Sequence, residues 1–436
     1  MGVRRGARLA IALGVALAVL AAATPAAAID PNDPTWYAAW GQRLVGMPLV
    51  WQITTGSPNV VIATVDTGVN PAIPDLQGAL VPGWDFTTNT PGMGDTDGHG
   101  TAVASEIVAR GNNGDGIAGY CWGCRLMPVR VSAGDTVSNE VIAAGIRWAV
   151  DHGARIINIG FNDDGNGSYD PTIASAVAYA SSRGVLLFAS AGNSGSAGWT
   201  YPAAYPGAYA VAATDPGNAL YPWSTFGTWV PFAAPGCQVV IWQSNVTSEL
   251  CGTSVTAPAL SGIAGLMLSA RPSLTAGQVI AALKASVTPV AGLGSGVVNA
   301  VKAFQAIGLN PPPPPPPSPA TIQSRGNQDA RRTGAPTDAS DASSVVLFSG
   351  TLKRRRNVSL RLDAGMVWIT LQTSKARNCT LTLRSSSKGI ELATRVSPTR
   401  IRLVDAVARG TYALRINCAP SRPKPYQLVV IGSLAQ

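Results

Sequence analysis

Val60-Val61-Ile62-Ala63-Thr64-Val65-Asp66-Thr67-Gly68 is an apolar run that ends on a carboxylate and a glycine. A short run of this kind, apolar except for Thr64, suits a strand covered on both faces. Arg155-Ile156-Ile157-Asn158-Ile159 and Gly184-Val185-Leu186-Leu187-Phe188 read the same way. Helical patterns precede each of these two, over Asn139–His152 and Pro171–Arg183, with Gly153 and Gly184 as stops. This alternation predicts an α/β fold with a mainly parallel sheet flanked by helices. In such sheets functional groups gather beyond the carboxyl ends of the strands. Asp66 stands at one of those ends.

Further chemistry lies outward from Asp66. A serine hydroxyl is a weak nucleophile and needs a base, which in turn needs a group to orient it. The chain has two histidines. His152 sits in Val150-Asp151-His152-Gly153 at a helix end, where it complements the helix dipole. His99 sits in Asp97-Gly98-His99-Gly100-Thr101, before a helical stretch from Ala102 to Arg110. Its flanking glycines permit close approach, so His99 is the candidate base. Ser254 lies in Gly252-Thr253-Ser254-Val255-Thr256-Ala257-Pro258, ahead of an apolar helical stretch from Ala259 to Ala270. A helix N-terminus favours developing negative charge, although serine is also an ordinary cap there. Asn193, in Ser190-Ala191-Gly192-Asn193-Ser194-Gly195, is either an oxyanion donor or a turn asparagine. Asp-Thr-Gly also occurs in aspartic proteases, but those need a second such motif and none is present.

Taken together, these segments resemble the subtilases from about Asn32 to Ile307, in the order Asp, His, Asn, Ser. The likeness rests on Val65-Asp66-Thr67-Gly68, Gly98-His99-Gly100-Thr101, Ala191-Gly192-Asn193 and Gly252-Thr253-Ser254. Connecting phrases such as Tyr201–Pro206, Ala233–Gly236 and Gly296–Asn299 support it. The resemblance implies a serine endopeptidase acting on protein and peptide substrates. Ser254 would attack, His99 would shuttle the proton and Asp66 would orient His99. Asn193 and the Ser254 backbone N–H would form the oxyanion hole. Substrate contacts are implied at Gly160, Phe161, Asn162, Ser190, Ala191 and Gly192. Asn162 and Asp163 stand where the family usually carries glycines, at a specificity wall. The serine motif departs from Met-Ala-Thr as Val255-Thr256-Ala257, and Ala102 replaces a usual histidine. A structural calcium ion is implied at Asp33, Asp75, Asn113 and Asp115, with the carbonyls of Arg110 and Ile117. These are hard oxygen ligands in turn-rich segments. The rival readings are an inactive subtilase fold used for binding and a surface-binding protein centred on its C-terminal part.

Composition frames the rest. At 436 residues the chain is too long for one ordinary core, and 46% hydrophobic against 13% charged residues excludes global disorder. Residues 1–28 read as a signal peptide, with Arg4, Arg5 and Arg8 before an apolar core and Ala26-Ala27-Ala28 at the cleavage site. No later run reads as long and apolar enough to span a bilayer. The expectation is a secreted, extracellular monomer whose mature start leaves no room for a folding pro-domain. Residues 29–309 form the peptidase domain and 310–343 a linker containing the proline run Pro311–Pro317. Residues 344–436 alternate with period two, predicting an all-β sandwich that resembles the pre-peptidase C-terminal domains of secreted bacterial peptidases.

Six cysteines in an exported chain suggest disulfides, and six allow 15 connectivities. The local choice is Cys121–Cys124, Cys237–Cys251 and Cys379–Cys418. For Cys121-Trp122-Gly123-Cys124 a redox motif is disfavoured because a strand pattern, Arg125–Val131, follows it, and a zinc site with Cys237 and Cys251 fits no common ligand spacing. Charge is uneven. Residues 29–319 carry 10 Lys+Arg against 17 Asp+Glu, a net of −7; residues 320–436 carry 19 against 6, a net of +13. The basic part is expected to meet an anionic cell-envelope surface. Nucleic acid is not an expected partner of an exported peptidase, and export likewise excludes a nuclear-signal reading of Lys353-Arg354-Arg355-Arg356.

Overall fold

The computed structural model describes residues 29–134, 137–163 and 168–311, and the backbone of eight strands between residues 344 and 432. The expected signal peptide, and all of the expected linker from residue 312 onward, lie outside the described residues.

The chain opens with two short helices, α1 (Trp40–Leu44) and α2 (Met47–Val50). Then come β1 (Val61–Asp66), β2 (Trp84–Asp85), β3 (Thr90–Pro91), α3 (His99–Val108), β4 (Arg125–Arg130), α4 (Asn139–Asp151) and β5 (Ile156–Ile159). After α5 (Pro171–Ser182) follow β6 (Leu186–Ser190), β7 (Ala208–Thr214), β8 (Phe232–Pro235), β9 (Cys237–Ile241) and β10 (Thr247–Cys251). α6 (Thr256–Ala270), α7 (Ala276–Ser286), β11 (Thr288–Pro289), β12 (Gly296–Val297) and α8 (Ala300–Ala306) complete this part.

Ten strands form one sheet in the order β11-β12-β8-β7-β6-β5-β1-β4-β2-β3, with β1 at its centre between β5 and β4. Its central pairings are parallel; the β2–β3 and β11–β12 pairs at the edges are antiparallel. β1 is buried over Ile62–Asp66, as its apolar run predicts. One face packs on α3 and α6, with Ile62, Phe188, Phe232 and Leu260 in the same core. The other packs on α4 and α5 through Val65, Ile146, Ile157 and Val177. α4 begins at the Ser138 cap and α5 at Asp170, whose carboxylate accepts from the N–H groups of Thr172 and Ile173 just before Pro171's turn closes.

Two expectations are corrected. The helix carrying His99 starts at His99 itself rather than at Ala102. Side chains before it satisfy its first N–H groups, as the site shows below. The expectation about bilayer-spanning runs also fails. Thr253–Ala270 has the length and a mean hydropathy of 1.3 that would suffice, yet 83% of it is buried. It is apolar all round because it is the central core helix.

Beyond residue 343, β13 (Ser344–Leu352), β14 (Arg355–Leu362), β15 (Gly365–Thr373), β16 (Cys379–Ser385), β17 (Arg395–Val396), β18 (Arg400–Val407), β19 (Gly410–Cys418) and β20 (Lys424–Gly432) form two antiparallel sheets. Their orders are β13-β20-β15-β18-β17 and β14-β19-β16. The β16–β19 register sets residues 379 and 418 directly opposite one another.

Candidate active site

β1 delivers Asp66 at its carboxyl end with only 1% of the residue exposed. Its Oδ1 lies 2.8 Å from Nδ1 of His99 and also accepts from the N–H of Thr67 at 2.8 Å. The segment before His99 explains why that residue is so placed. Asp95 Oδ1 accepts from the N–H groups of Asp97 and Gly98 and from the Thr67 hydroxyl. Its Oδ2 accepts from the N–H and hydroxyl of Thr101. Asp97 Oδ1 accepts from the His99 N–H at 3.0 Å, and Thr67 Oγ1 accepts from the Gly100 N–H at 2.9 Å. Gly98 turns the chain with φ 110°, a conformation that favours glycine. Asp95 and Thr67 thus clasp strand and helix together. Neither role shows in the sequence: the cap position of the helix is Gly98, and Asp95 stands three positions before it.

The charge distribution follows from this packing. The Asp66 carboxylate pushes the His99 imidazole up from 6.5 to about 9, burial opposes the shift, and Asp97 and Asp95 add to it. His152, by contrast, stacks on Trp148 at 3.9 Å and lies within hydrogen-bond distance of its carbonyl, at the end of α4.

Ser254 sits in a single 3-10 turn, Thr253–Val255, immediately before α6. Asn193 is tied to that turn. Its Oδ1 accepts from the Thr253 N–H at 2.9 Å and the Thr253 hydroxyl at 3.0 Å. Thr253 Oγ1 in turn accepts from the Gly192 N–H. With Oδ1 so used, Nδ2 is assigned to the other end of the amide. Asp66, His99, Asn193 and Ser254 line one cleft of about 840 Å³, together with Gly160, Phe161, Asn162 and Asp163. Among the described residues no hydrogen bond joins Ser254 to His99. Such bonds are often long before substrate arrives.

Residues 57–306 match the subtilase family. The chain belongs to the subtilase family. It is a serine endopeptidase, and its substrates are proteins or peptides. It is 37% identical to thermitase of Thermoactinomyces vulgaris over 283 residues, which are 63% of this chain and 99% of thermitase. Against subtilisin Savinase of Lederbergia lenta it is 35% identical, covering 61% of this chain and 97% of that one. Among solved structures, a protease of Pseudoalteromonas arctica PAMC 21717 matches with TM-score 0.57 at 26% identity, covering 64% of this chain and 99% of that one. The prenylagaramide maturation protease PagA matches with TM-score 0.54 at 28% identity, covering 61% and 99%.

The walls of this subtilase cleft carry the departures seen in the sequence. Gly160 lies against the Asp–His pair: a Cβ there would stand 2.9 Å from Asp66 Oδ2 and 3.1 Å from His99 Cε1. Asn162 Nδ2 donates to Ser190 Oγ at 3.0 Å. Asp163 and Tyr201 are bonded twice, through the Asp163 N–H to the Tyr201 carbonyl and the Tyr201 N–H to Asp163 Oδ1. Tyr169, Tyr201 and Tyr205 pack ring on ring beside them. Ser190, Ala191 and Gly192 are buried and do not line the cleft. They lie beneath it, holding Asn162 and the Thr253 turn.

A second cluster joins three distant segments of this subtilase. Asp33 and Asp75 are buried, at 4% and 2% exposure. The N–H groups of Asn112 and Asn113 donate to Asp33, while Asn113 Nδ2 and the Ile117 N–H donate to Asp75. The Asp115 N–H donates to Asn113 Oδ1, and the Arg110 N–H to the Asp75 carbonyl. Burial raises the Asp33 carboxyl and takes Asp75 from 3.8 to about 6; Asp115 adds repulsion to both. Neither carboxylate forms a salt bridge among the described residues.

Cys121 and Cys124 are bonded, as are Cys237 and Cys251, with S–S distances of 2.06 and 2.08 Å. Cys237 and Cys251 face one another across the β9–β10 pair, and Cys251 is three residues before Ser254. Glu249 stands near enough to complete a metal-binding trio, but bonded sulfurs offer no thiolate.

Proposed function

We propose that Asp66, His99 and Ser254 are the catalytic triad of this peptidase and that Asn193 with the Ser254 N–H forms its oxyanion hole. The observation that carries this reading is the 2.8 Å Asp66–His99 pair opening onto the same cleft as Ser254 and the tethered Asn193. Ser254 Oγ attacks the scissile carbonyl carbon while His99 Nε2 takes its proton. Asp66 holds the Nδ1–H and stabilises the imidazolium. Asn193 Nδ2 and the Ser254 N–H receive the oxyanion. His99 then protonates the leaving amine, and water releases the acyl group by the reverse sequence. The backbone of Gly160 pairs with the extended substrate, with Phe161, Asn162 and the layer of Ser190, Ala191 and Gly192 shaping the wall.

Calcium fits the second cluster. Two buried carboxylates have no cationic partner among the described residues, and Asn113, Asp115 and the carbonyls of Arg110 and Ile117 would complete an all-oxygen donor set. A bound ion would neutralise the repulsion there and tie residues 33, 75 and 110–117 together.

The proposed protein is exported, with residues 1–28 removed. Residues 29–309 are the peptidase domain, 310–343 the linker, and 344–436 a basic β-domain that carries the enzyme to anionic cell-envelope surfaces. A labelled fluorophosphonate tests the core of this reading. It is expected to modify Ser254 in the native protein and to leave Ser254→Ala and heat-unfolded protein unlabelled. Labelling that persists in Ser254→Ala, or none in the folded wild type, overturns it.

A further inference from the structure

Behind Asp66 lies a strip of polar groups that the triad alone does not explain. Thr64 and Asp66 share one face of β1, and Asn158 and Gly160 occupy the corresponding face beside them, with Thr64 opposite Asn158 in the parallel register. Thr64, Asp66 and Asn158 are all within 1% of complete burial. Yet Thr64 Oγ1, Asp66 Oδ2 and Asn158 Nδ2 have no hydrogen-bond partner among the described residues. Leaving three such groups unsatisfied in one place is costly, about 1–3 kcal/mol each. Their chemistry is complementary: an acceptor, a double donor, and a hydroxyl that does either.

Two contacts bear on how these groups are turned. Asn158 Oδ1 lies 3.3 Å from Ser261 Oγ, whose one proton is also within reach of the Ala257 carbonyl at 2.9 Å, and Nδ2 lies on the other side of the amide. Asp66 uses Oδ1 for His99, which leaves Oδ2 over Gly160, where a Cβ would come within 2.9 Å. Same-face neighbours along a strand are about 6.7 Å apart, too far for a direct bond between short side chains. A buried water typically makes about three hydrogen bonds to otherwise unsatisfied buried groups, which is what these three atoms lack.

We infer that Thr64 and Asn158 are positioning residues, which hold one buried water against Asp66 Oδ2 and so fix the carboxylate that orients His99. The inference rests on the triad reading above. The water links Asp66 through Asn158 to Ser261, and Ser261 belongs to α6, the helix that follows the Ser254 turn. Base orientation and nucleophile helix are thereby coupled beneath the cleft floor. Removing the donors would leave the Oδ2 charge less satisfied, so an imidazolium beside it would be held more tightly.

The test is Thr64→Val, which keeps the shape and removes the hydroxyl, with Thr64→Ser as the restoring variant and Asn158→Leu approaching from the other strand. Each is titrated with fluorophosphonate to count living Ser254, and kcat and KM on a peptide amide are followed against pH. Thr64→Val is expected to lose about tenfold in kcat with KM nearly unchanged. The acid limb of its profile moves to higher pH, and Thr64→Ser restores both. Asn158→Leu gives the same pair of changes, and it serves alone if Thr64→Val does not fold. The inference is overturned if Thr64→Val has wild-type kcat and acid limb, whatever its melting temperature, or if Thr64→Ser behaves like Thr64→Val. Failure of Ser254 to label in the unaltered protein would instead remove the triad reading, and this one with it.

Discussion

Replacing Asp75 by asparagine is expected to have opposite effects on stability with and without calcium. In the metal-free fold, burial first, and then Asp33 and Asp115, raise the Asp75 carboxyl from 3.8 to about 6. A carboxyl raised on folding contributes its full stability below the unfolded value near 3.8 and loses it as pH climbs through about 6. The difference is about 3 kcal/mol at pH 8. Asparagine removes that burden but accepts through one oxygen, whereas Asp75 accepts from both Asn113 and Ile117. One lost hydrogen bond costs about 1 kcal/mol. The net gain in chelator at pH 8 is thus about 2 kcal/mol, or about 4–8 °C in Tm. In calcium the sign reverses, because the variant lacks a charged ligand and an ion at a hundredfold excess over its Kd adds about 2.7 kcal/mol to the wild type. Differential scanning calorimetry on protein inactivated at Ser254, to prevent autolysis, reads both numbers. Wild-type Tm in chelator should also decline from about pH 4 to pH 7. Equal destabilisation by Asp75→Asn in calcium and in chelator would refute the reasoning.

Three further expectations concern the cleft and the tail. Asn193→Ala should lower kcat about 100- to 1000-fold with little change in KM; near-normal turnover of a peptide amide removes the oxyanion role. Asp97→Asn should shift the acid limb of kcat/KM to lower pH, because Asp97 helps raise His99. The shift should shrink in high salt, which screens an exposed charge, and an unmoved limb at low salt counts against it. The full chain should bind an anionic matrix at low salt and elute as salt rises, while residues 29–309 should pass through; retention of both would place the contact elsewhere.

Much of this was legible in the sequence, for definite reasons. A strand buried on both faces leaves an unbroken apolar run, so β1, β5 and β6 showed themselves, and the glycine-flanked Asp66, His99 and Ser254 marked where the backbone must stay open. What stayed hidden was pairing. Nothing in the spacing of Asp95 shows that its two oxygens reach Thr67, Gly98 and Thr101, and that clasp decides where α3 begins. Thr64 and Asn158 sit inside apolar runs, whose composition does not show what a single polar side chain there faces. Glu106 shows the same limit. A glutamate in a helix suggests a solvent face, yet Glu106 is fully buried and neither carboxylate oxygen has a partner among the described residues. Burial pushes its acid well above the ordinary range. The helix behind His99 is covered all round, which periodicity over ten residues cannot reveal.

The Cys237–Cys251 bond has a consequence for an enzyme that meets its own kind at high concentration. The hairpin between these residues ends in an exposed tip, with Val246 56% accessible, and projecting tips are where endopeptidases cut first. A cut there would open a loop whose two cysteines are 14 positions apart, leaving both ends bound at the base. The Ser254 turn, which begins two residues past Cys251, would keep its place. Nicked molecules would then accumulate as working enzyme, running as one species on a non-reducing gel and as two fragments once the bond is reduced. Damage at this point would be carried silently, and the lifetime of the enzyme would be set by cuts elsewhere.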